Sequence, residues 1–256
     1  MSSLSPWFSG SGPARALHLG RSQLSRRKRA RPASLVALTE PDMYAVPILT
    51  HEFGTVLDLG CGTSLTALGA LKMPRGSIRV GVDINKEDVT TAARQRSGGI
   101  YLLVADGHAL PFRAGCFDVV FSKVALPYMD LPAAVQEIGR VLKPWGEVWM
   151  TLHPFRMAGM RLLSSLRTGQ IKDVVYQLYA VLNGLSLHVF GAQFRYPLNR
   201  AKIESVQTLS AITRLLGRAG FEDIRYELRL RGPGLESKDK LFGRMLVIAA
   251  RKSPPA

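Results

Sequence analysis

The sequence predicts an α/β fold in which a doubly wound, largely parallel sheet is interrupted by a helical insertion. Short runs rich in Val, Leu and Ile are apolar at consecutive positions, which is typical of strands buried on both faces. Helical stretches separate these runs, as the crossovers of a parallel sheet require. After the fifth run the alternation stops and a long segment precedes the next helix. These three observations place an insertion between the fifth strand and its helix.

The predicted elements follow in order from Thr55. The strands are Thr55–Leu59, Ile78–Asp83, Tyr101–Ala105, Phe117–Lys123, Glu147–His153, Ile224–Leu230 and Met245–Ala250. The helices are Ser64–Lys72, Lys86–Gln95, Leu131–Leu142 and Ser205–Ala219. We expect the last helix to end at Gly220, because glycine readily adopts the left-handed conformation that terminates helices.

Residues 154–200 form the insertion, and their apolar residues recur at the spacing of an amphipathic helix. The stripe consists of Ile171, Val174, Val175, Leu178, Val181, Leu182, Leu185 and Val189. One interpretation is a lid that packs this stripe on the core. The other is a lid that accepts a lipophilic substrate, or that touches an anionic membrane through Arg156, Arg161 and Arg167.

Composition and charge limit the function classes. The chain has 256 residues, 34 basic against 19 acidic, and two cysteines, too few for a disulfide scaffold or a thiolate zinc site. The cysteine count favours a reducing compartment, so we expect a cytoplasmic protein, peripheral to a membrane if the lid touches lipid. No metal site is expected. Net charge is −1 over residues 41–150 but +6, +5 and +5 over 1–40, 151–205 and 206–256, which indicates a nearly neutral core with basic additions that meet an anionic partner or solvent.

The first 36 residues are predicted to be a disordered basic tail, followed by one domain over 37–252. The tail contains no acid and carries the cluster Arg26-Arg27-Lys28-Arg29-Ala30-Arg31, so it cannot bury enough apolar surface to offset its ordering entropy. The basic cluster follows the few apolar residues, which argues against a secretory signal. An organelle transit peptide has a similar composition and stays open as an alternative.

The most informative motif is Val56-Leu57-Asp58-Leu59-Gly60-Cys61-Gly62, an apolar strand that ends in an acid and a Gly-x-Gly loop. Glycines allow the backbone to approach a ligand closely. Asp83 ends the next strand, where a carboxylate can accept both hydrogen bonds of a ribose diol. A dinucleotide motif would have Gly or Ala at position 65, but this chain has Leu65. Since Asp58 would repel a pyrophosphate and attract an ammonium group, the pattern favours S-adenosylmethionine.

The sequence resembles the class I S-adenosylmethionine-dependent methyltransferases, specifically the type 11, quinone-methyltransferase-like group. The resemblance rests on VLDLGCGTS (56–64), VGVDIN (80–85), ADGHALPFRAGCFDVVFS (105–122) and EIGRVLKPWGEVWM (137–150). It implies a Rossmann-like sheet of seven strands with the last one antiparallel. It also assigns cofactor-binding positions: Asp58, Gly60, Cys61 and Gly62 around the methionyl portion, Asp83 on the ribose, Ile84, Asp106 and Gly107 at the adenine, and the segment from Ser122 as the closure of the site.

The catalytic residues are harder to predict. A methyl sulfonium is already activated, so positioning of the acceptor can supply much of the rate, and a general base is needed only when the acceptor must lose a proton. His153, after strand five, and Tyr128, after strand four, are the candidates. A structural role is an alternative for both.

Three functions remain open on the sequence. The leading one is methyl transfer to a small, lipophilic acceptor. The second is methylation of a nucleic acid such as RNA, which the charge of +15 motivates. Against it, Ser122-Lys123-Val124-Ala125-Leu126-Pro127-Tyr128 lacks the double proline of enzymes that methylate base amino groups. The third is a protein that binds S-adenosylmethionine without catalysis.

Overall fold

The computed structural model describes residues 15–16, 53–63, 65, 68–69, 71, 73–95, 99–230 and 244–254. Its centre is a mixed sheet of seven long strands and one two-residue strand, in the order β1-β4-β3-β2-β5-β6-β8-β7. The strands are β1 Arg15–Ala16, β2 Thr55–Leu59, β3 Ile78–Asp83, β4 Ile100–Val104, β5 Phe117–Lys123, β6 Leu142–Leu152, β7 Phe221–Leu230 and β8 Arg244–Lys252.

The directions of the strands create a ligand-binding crevice. Strands β4, β3, β2, β5 and β6 run parallel to their neighbours, while β8 is antiparallel to β6 and β7. The chain proceeds outward from β2 to β4 and then returns to the other side of β2 with β5. In open α/β sheets, ligands bind outside the carboxyl ends of the strands at such a reversal. The predicted sheet of seven strands with an antiparallel last strand is confirmed.

Helices cover both faces of the sheet. They are α1 Lys86–Gln95, α2 Leu131–Val141, α3 Phe155–Thr168, α4 Ile171–Phe190 and α5 Leu209–Arg218, with a short 3₁₀ helix at Leu126–Tyr128. Consecutive strand residues point to opposite faces, and Val56 and Leu57 of β2 accordingly lie in different apolar clusters. Buried residues of α2 and α5 complete the cluster of Leu57, and α1 contributes Val89 and Ala92 to that of Val56.

Two predicted boundaries differ most from the structure, for identifiable reasons. Strand β6 begins at Leu142, which pairs with Phe117, rather than at Glu147. The turn-like residues 143–146 lie inside the strand, where the pairing register shifts, and not before it. Helix α5 begins at Leu209 instead of Ser205. The residues before it are extended, since Gln207 forms a β-bridge with Pro154, and the Thr208 side chain accepts a hydrogen bond from Ala211 N as the helix cap.

The insertion is helical as predicted, but six of the eight residues of its apolar stripe are exposed, and Val174 and Val181 are half-buried. Helices α3 and α4 end at Gly169 and Gly191, both with left-handed φ values of 66° and 71°. The interpretation in which the stripe packs on the core is wrong for α4: its buried residues are Tyr179, Ala180, Asn183, Gly184 and Leu187. The stripe lies on the opposite side of the helix.

Part of the predicted tail and of one predicted helix can be compared with the structure. Arg15–Ala16 pair antiparallel with Leu103 and Val104 of β4, and the other residues of 1–36 lie outside the described residues. Of the predicted helix Ser64–Lys72, only positions 65, 68, 69 and 71 are described, and Leu68 and Gly69 are helical.

Candidate active site at the carboxyl ends of the strands

The Gly-x-Gly loop after β2 is fixed by backbone contacts. The amides of Gly60 and Cys61 donate to the Val82 carbonyl at the end of β3, at 2.8 and 3.0 Å. Gly60 has φ +77°, and a Cβ there would lie 2.1 Å from the Ala125 Cβ. Gly62 has φ +57°, and a Cβ there would meet no atom within 4 Å. Gly60 is therefore required both for its conformation and for the close approach of Ala125, in the segment after β5.

Asp83 connects this loop to the adjacent strand end. Its Oδ2 accepts from Gly62 N and its Oδ1 from Asn85 N, both at 2.9 Å. The neighbouring Ile84 side chain is 67% exposed. An aliphatic side chain so exposed beside a carboxylate offers an apolar wall for a planar ring, with the carboxylate available to hydroxyl donors.

At the end of β4, Asp106 belongs to a hydrogen-bonded chain with His108 and Asp130. The amide of Asp130 donates to His108 Nε2 at 2.9 Å, so the ring proton lies on Nδ1 and is donated to Asp106 Oδ1 at 2.6 Å. The His108 amide donates to the same oxygen at 2.9 Å. Gly107 lies between these residues, and a Cβ there would come within 3.0–3.1 Å of the Leu59 and Met129 side chains, which would have to shift. The contacts of His108 thus orient the Asp106 carboxylate.

Asp58 lies beneath the glycine loop and is almost fully buried. Its Oδ1 has no hydrogen-bond partner among the described residues. Burial raises the pKa of Asp58 to about 8, with a smaller lowering by Lys123 and a further raising by Asp83. A buried, unsatisfied carboxylate oxygen is costly, and a cation placed above the loop would relieve that cost.

Two predicted cofactor positions, Ser122 and Cys61, are buried behind the loops of the site. The Ser122 hydroxyl donates to the Leu59 carbonyl at 2.9 Å and is fully buried, so it joins the ends of β2 and β5. The Cys61 side chain belongs to the apolar cluster of Val56, and burial raises the pKa of its thiol. The segment after Ser122 borders the site instead. It turns sharply at Val124, where φ is +65° and the amide donates to Thr151 Oγ1 at 2.8 Å.

A cavity of about 360 Å³ lies at the switch point, within the range of small-molecule sites. Of the predicted cofactor positions, Asp58, Cys61, Gly62 and Ser122 are not in its lining. The loop side is formed by Leu59, Gly60, Val82, Asp83, Ile84, Ala105, Asp106, Gly107 and His108. The rest of the lining is formed by Ala125, Tyr128, Met129, Asp130, Arg195, Ala201 and Ile203. Arg195 belongs to the insertion, and Ala201 and Ile203 directly follow it, so the end of the insertion contributes a wall of the cavity.

The two catalytic candidates lie at different depths. Tyr128 borders the cavity and is 47% exposed. His153 lies behind it, 2% exposed, with its ring perpendicular to that of Tyr128 at 5.4 Å between centroids. His153 Nδ1 is 3.4 Å from Glu204 Oε1. The expectation that His153 faces the substrate is not met, because Tyr128 separates it from the cavity.

Glu204 was missed by the sequence analysis, although it organises the base of the insertion. Its carboxylate also receives a hydrogen bond from Arg161 at 2.9 Å. Burial alone would raise the pKa of Glu204, but contacts with His153, Tyr176 and Arg161 lower it. Glu204 is the only acid in the sequence between Asp173 and Glu222, and that isolation could have identified it. Nothing in the pattern around Arg195 distinguishes it from the other basic residues.

Comparisons with known proteins agree with this geometry. A family model described as "Methyltransferase domain" matches residues 57–150. The demethylmenaquinone methyltransferase of Thermus thermophilus is 30% identical over 68% of this chain and 76% of the relative. The chain belongs to the class I S-adenosylmethionine-dependent methyltransferases. Within that family it falls in the type 11 group, as the resemblance predicted.

Other methyltransferases match over a smaller share of their length. The nocamycin O-methyltransferase of Saccharothrix syringae is 29% identical over 71% of this chain, which covers 65% of that relative. Three further curated relatives are covered over only 39–46% of their length. A solved S-adenosylmethionine-dependent methyltransferase from Methanosarcina mazei is 19% identical, with a TM-score of 0.51 over 81% of this chain and 95% of that one. This last likeness supports the fold.

Proposed function

We propose that the protein transfers the methyl group of S-adenosylmethionine to a small, lipophilic organic acceptor. The observation that carries the proposal is the cavity at the switch point, whose lining combines strand-end loops and carboxylates with the apolar side chains of Met129, Ala201 and Ile203. The loops and carboxylates suit a polar nucleoside, and the apolar side chains suit an apolar acceptor. Both parts line one space, as transfer between two ligands requires.

The residues present fit the cofactor. In this proposal Asp83 accepts from the ribose hydroxyls, Ile84 packs on the adenine, and Asp106 accepts from its amino group beside the Gly107 backbone. The unpartnered Oδ1 of Asp58 lies beneath the loop of Gly60 and Gly62 and offers a negative charge for the ammonium of the methionyl portion. A cation there would satisfy the one buried carboxylate oxygen that lacks a partner among the described residues.

When bound, S-adenosylmethionine supplies an electrophilic methyl group on a sulfonium centre. The task of the chain is then to hold the acceptor in line and to exclude water. We assign the acceptor contact to Tyr128, whose ring borders the cavity, and a positioning role to His153, which packs edge-on against that ring. Glu204 in turn holds the His153 imidazole.

The chemistry of the acceptor follows from the part of the lining outside the cofactor loops. Met129, Ala201 and Ile203 are apolar, while Asp130 and Arg195 contribute one charge of each sign. A mostly apolar molecule with one polar group fits these walls. The names of two relatives, which refer to nocamycin and demethylmenaquinone, also point to small organic acceptors.

The test is a binding and transfer experiment on the full chain. Calorimetry should detect S-adenosylmethionine and S-adenosylhomocysteine, and radiolabelled methyl groups should then be offered with organic-soluble metabolites, water-soluble metabolites and RNA. The proposal expects label in an organic-soluble small molecule, lost in Asp83→Ala. Label confined to RNA, or no binding of either cofactor form by the folded protein, would overturn it.

A further inference from the structure

Helix α4 exposes a continuous apolar stripe along its whole length. Six aliphatic side chains recur at alternating spacings of four and three residues, and each is 41–77% exposed: Ile171, Val175, Leu178, Leu182, Leu185 and Val189. Residues at this spacing lie on one side of a helix. Scattered exposed apolar residues are ordinary, but a contiguous patch of large ones marks an interaction surface.

The stripe cannot turn inward, because polar contacts fix the other side of α4. Asn183 Nδ2 donates to the Glu204 carbonyl at 2.9 Å, and Asn183 Oδ1 accepts from Phe194 N at 2.8 Å. A Cβ on Gly184 would lie 2.3 Å from the Val206 carbonyl oxygen. Rotation of the helix would break the hydrogen bonds of a buried amide and replace a glycine contact with bulkier side chains. The outward direction of the stripe is thus built into the fold.

Helix α3 packs beside α4 and also exposes apolar side chains and cations. Its outer side carries Phe155, Leu163 and Leu166, which are 43–57% exposed, together with the exposed Arg156 and Arg167. Residues 155–190 contain four basic residues, Arg156, Arg161, Arg167 and Lys172, and one acid, Asp173. Arg161 is bound to Glu204, whereas Arg156, Arg167 and Lys172 form no ion pair with any residue that the structure describes.

We propose that α3 and α4 form a membrane-docking surface, with the stripe at the acyl boundary of an anionic bilayer and Arg156, Arg167 and Lys172 among its headgroups. Apolar side chains bordered by cations are the features of an interfacial helix. Anionic lipid supplies the charge that these cations lack, whereas a second copy of the chain would bring the same cations together. None of the described helices is long and apolar enough to cross a membrane, so the surface would lie in the interface. The membrane-docking proposal does not depend on the identity of the methyl acceptor.

The test is co-flotation of the full chain with vesicles of phosphatidylcholine alone or with about 30% phosphatidylglycerol. The wild type should bind the anionic vesicles and bind neutral ones at least roughly tenfold more weakly, because each cation contributes about fivefold. Leu178→Glu with Leu185→Glu should reduce binding about tenfold or more, since both side chains would otherwise enter the acyl boundary. Arg156→Gln, Arg167→Gln and Lys172→Gln together should abolish the preference for anionic lipid.

Matched controls keep the result interpretable. Arg75→Gln, Lys86→Gln and Arg94→Gln remove the same number and types of exposed cations elsewhere, and Tyr226→Ser removes an exposed aromatic ring from β7. These variants should change vesicle binding by less than about twofold. Circular dichroism should confirm that every variant is folded.

Two outcomes would overturn the proposal. One is binding that is equal for neutral and anionic vesicles, or that the stripe variants leave unchanged. The other is a dimer by light scattering that the stripe variants convert to a monomer without any effect on vesicles, which would mean that a second copy covers the stripe.

Discussion

The cofactor side and the insertion side of the cavity are held in different ways. On the cofactor side, backbone amides and one carboxylate within a few residues of each strand end fix the loops, as at Gly60, Gly62 and Asp83. On the insertion side, side chains far apart in sequence fix the helices, as where Gln193 bonds both Leu131 N and Ser205 Oγ. The first kind of contact leaves a local sequence motif and the second does not.

The same difference explains which side chains face inward. In β2 and β3 the apolar residues are buried, as their pattern predicts. In α4 the apolar stripe is exposed, and Asn183, Gly184 and Tyr179 are buried. Buried hydrogen bonds and one close helix approach decide the orientation of α4, against the tendency of aliphatic side chains to leave water. Apolar periodicity therefore predicts that a segment is helical more securely than it predicts which side of the helix is buried.

The sharpest test of the cofactor side is Gly60→Ala, for which we expect complete loss of S-adenosylmethionine binding. The new methyl group would lie 2.1 Å from the Ala125 Cβ and would also require φ +77° of an alanine. Gly62→Ala is the matched control, because it has a similar φ and open space. It should keep most of its affinity by calorimetry.

A second-site change separates crowding from backbone strain at Gly60. In Gly60→Ala combined with Ala125→Gly, the nearest remaining atom is the position-125 Cα at 3.6 Å, an ordinary contact. Binding should therefore return in part. If Gly60→Ala alone binds normally, the loop does not approach Ala125 as described.

Asp83→Ala should produce the next largest effect, a loss of roughly 2–4 kcal/mol in cofactor affinity, as for removal of charged hydrogen bonds. Asp83→Asn keeps one acceptor oxygen for the ribose and should fall between the wild type and alanine. Calorimetry on folded variants measures both. An unchanged affinity in Asp83→Ala would reject the ribose assignment and leave the glycine loop as the main contact.

Much of the fold could be predicted because its signals are local. The bounds of β2, β3, β5 and α1 agree with the expectation to the residue, since alternation of apolar runs with amphipathic stretches is a property of short windows. The boundary of α5 could not be predicted, because it depends on the pairing of Gln207 with Pro154, which is set by tertiary contacts.

The residues of the candidate site also divide into those that lie in local motifs and those that tertiary contacts bring to the site. The cavity borders include Gly60, Asp83, Ile84, Asp106 and Gly107, all of which lie in motifs at strand ends. Arg195, Ala201 and Ile203 reach the cavity only because α3 and α4 return the chain to the edge of the sheet. Because two helices lie between these residues and the preceding strand, no fixed sequence spacing marks them as part of the site.

The insertion side can be tested with Gly184→Ala, which should lower the free energy of unfolding by about 1–3 kcal/mol, the usual cost of overpacking. The added Cβ would lie 2.3 Å from the Val206 carbonyl oxygen, so α4 must move. Gly159→Ala in α3 is the matched control: its Cβ meets nothing within 4 Å, and alanine should stabilise the helix by about 0.5–1 kcal/mol. Denaturant titration measures both. Opposite signs support the close approach of α4, and equal effects would contradict it.

The smallest expected effect is the pH dependence that Asp58 gives to the cofactor side. Its pKa is raised to about 8, so the cofactor-free folded protein holds a proton there at neutral pH, whereas the unfolded chain does not. The contribution of Asp58 to folding stability is therefore fully present below the unfolded pKa of about 4 and is lost as the pH rises through 8. Binding of a cation above the loop favours the ionised carboxylate and should release that proton.

The affinity of the wild type relative to Asp58→Asn should accordingly rise with pH, by at most about tenfold per unit, and level off above about pH 8. The ratio cancels any titration of the cofactor itself. Calorimetry near neutral pH in two buffers of different ionisation enthalpy should show proton release by the wild type in excess of that by Asp58→Asn. Asn also keeps the size of the side chain, so a difference in proton release reports charge and not packing. A ratio that stays constant between about pH 6 and pH 9 would mean that the ammonium does not sense Asp58, and the orphaned oxygen would then be a feature of the fold alone.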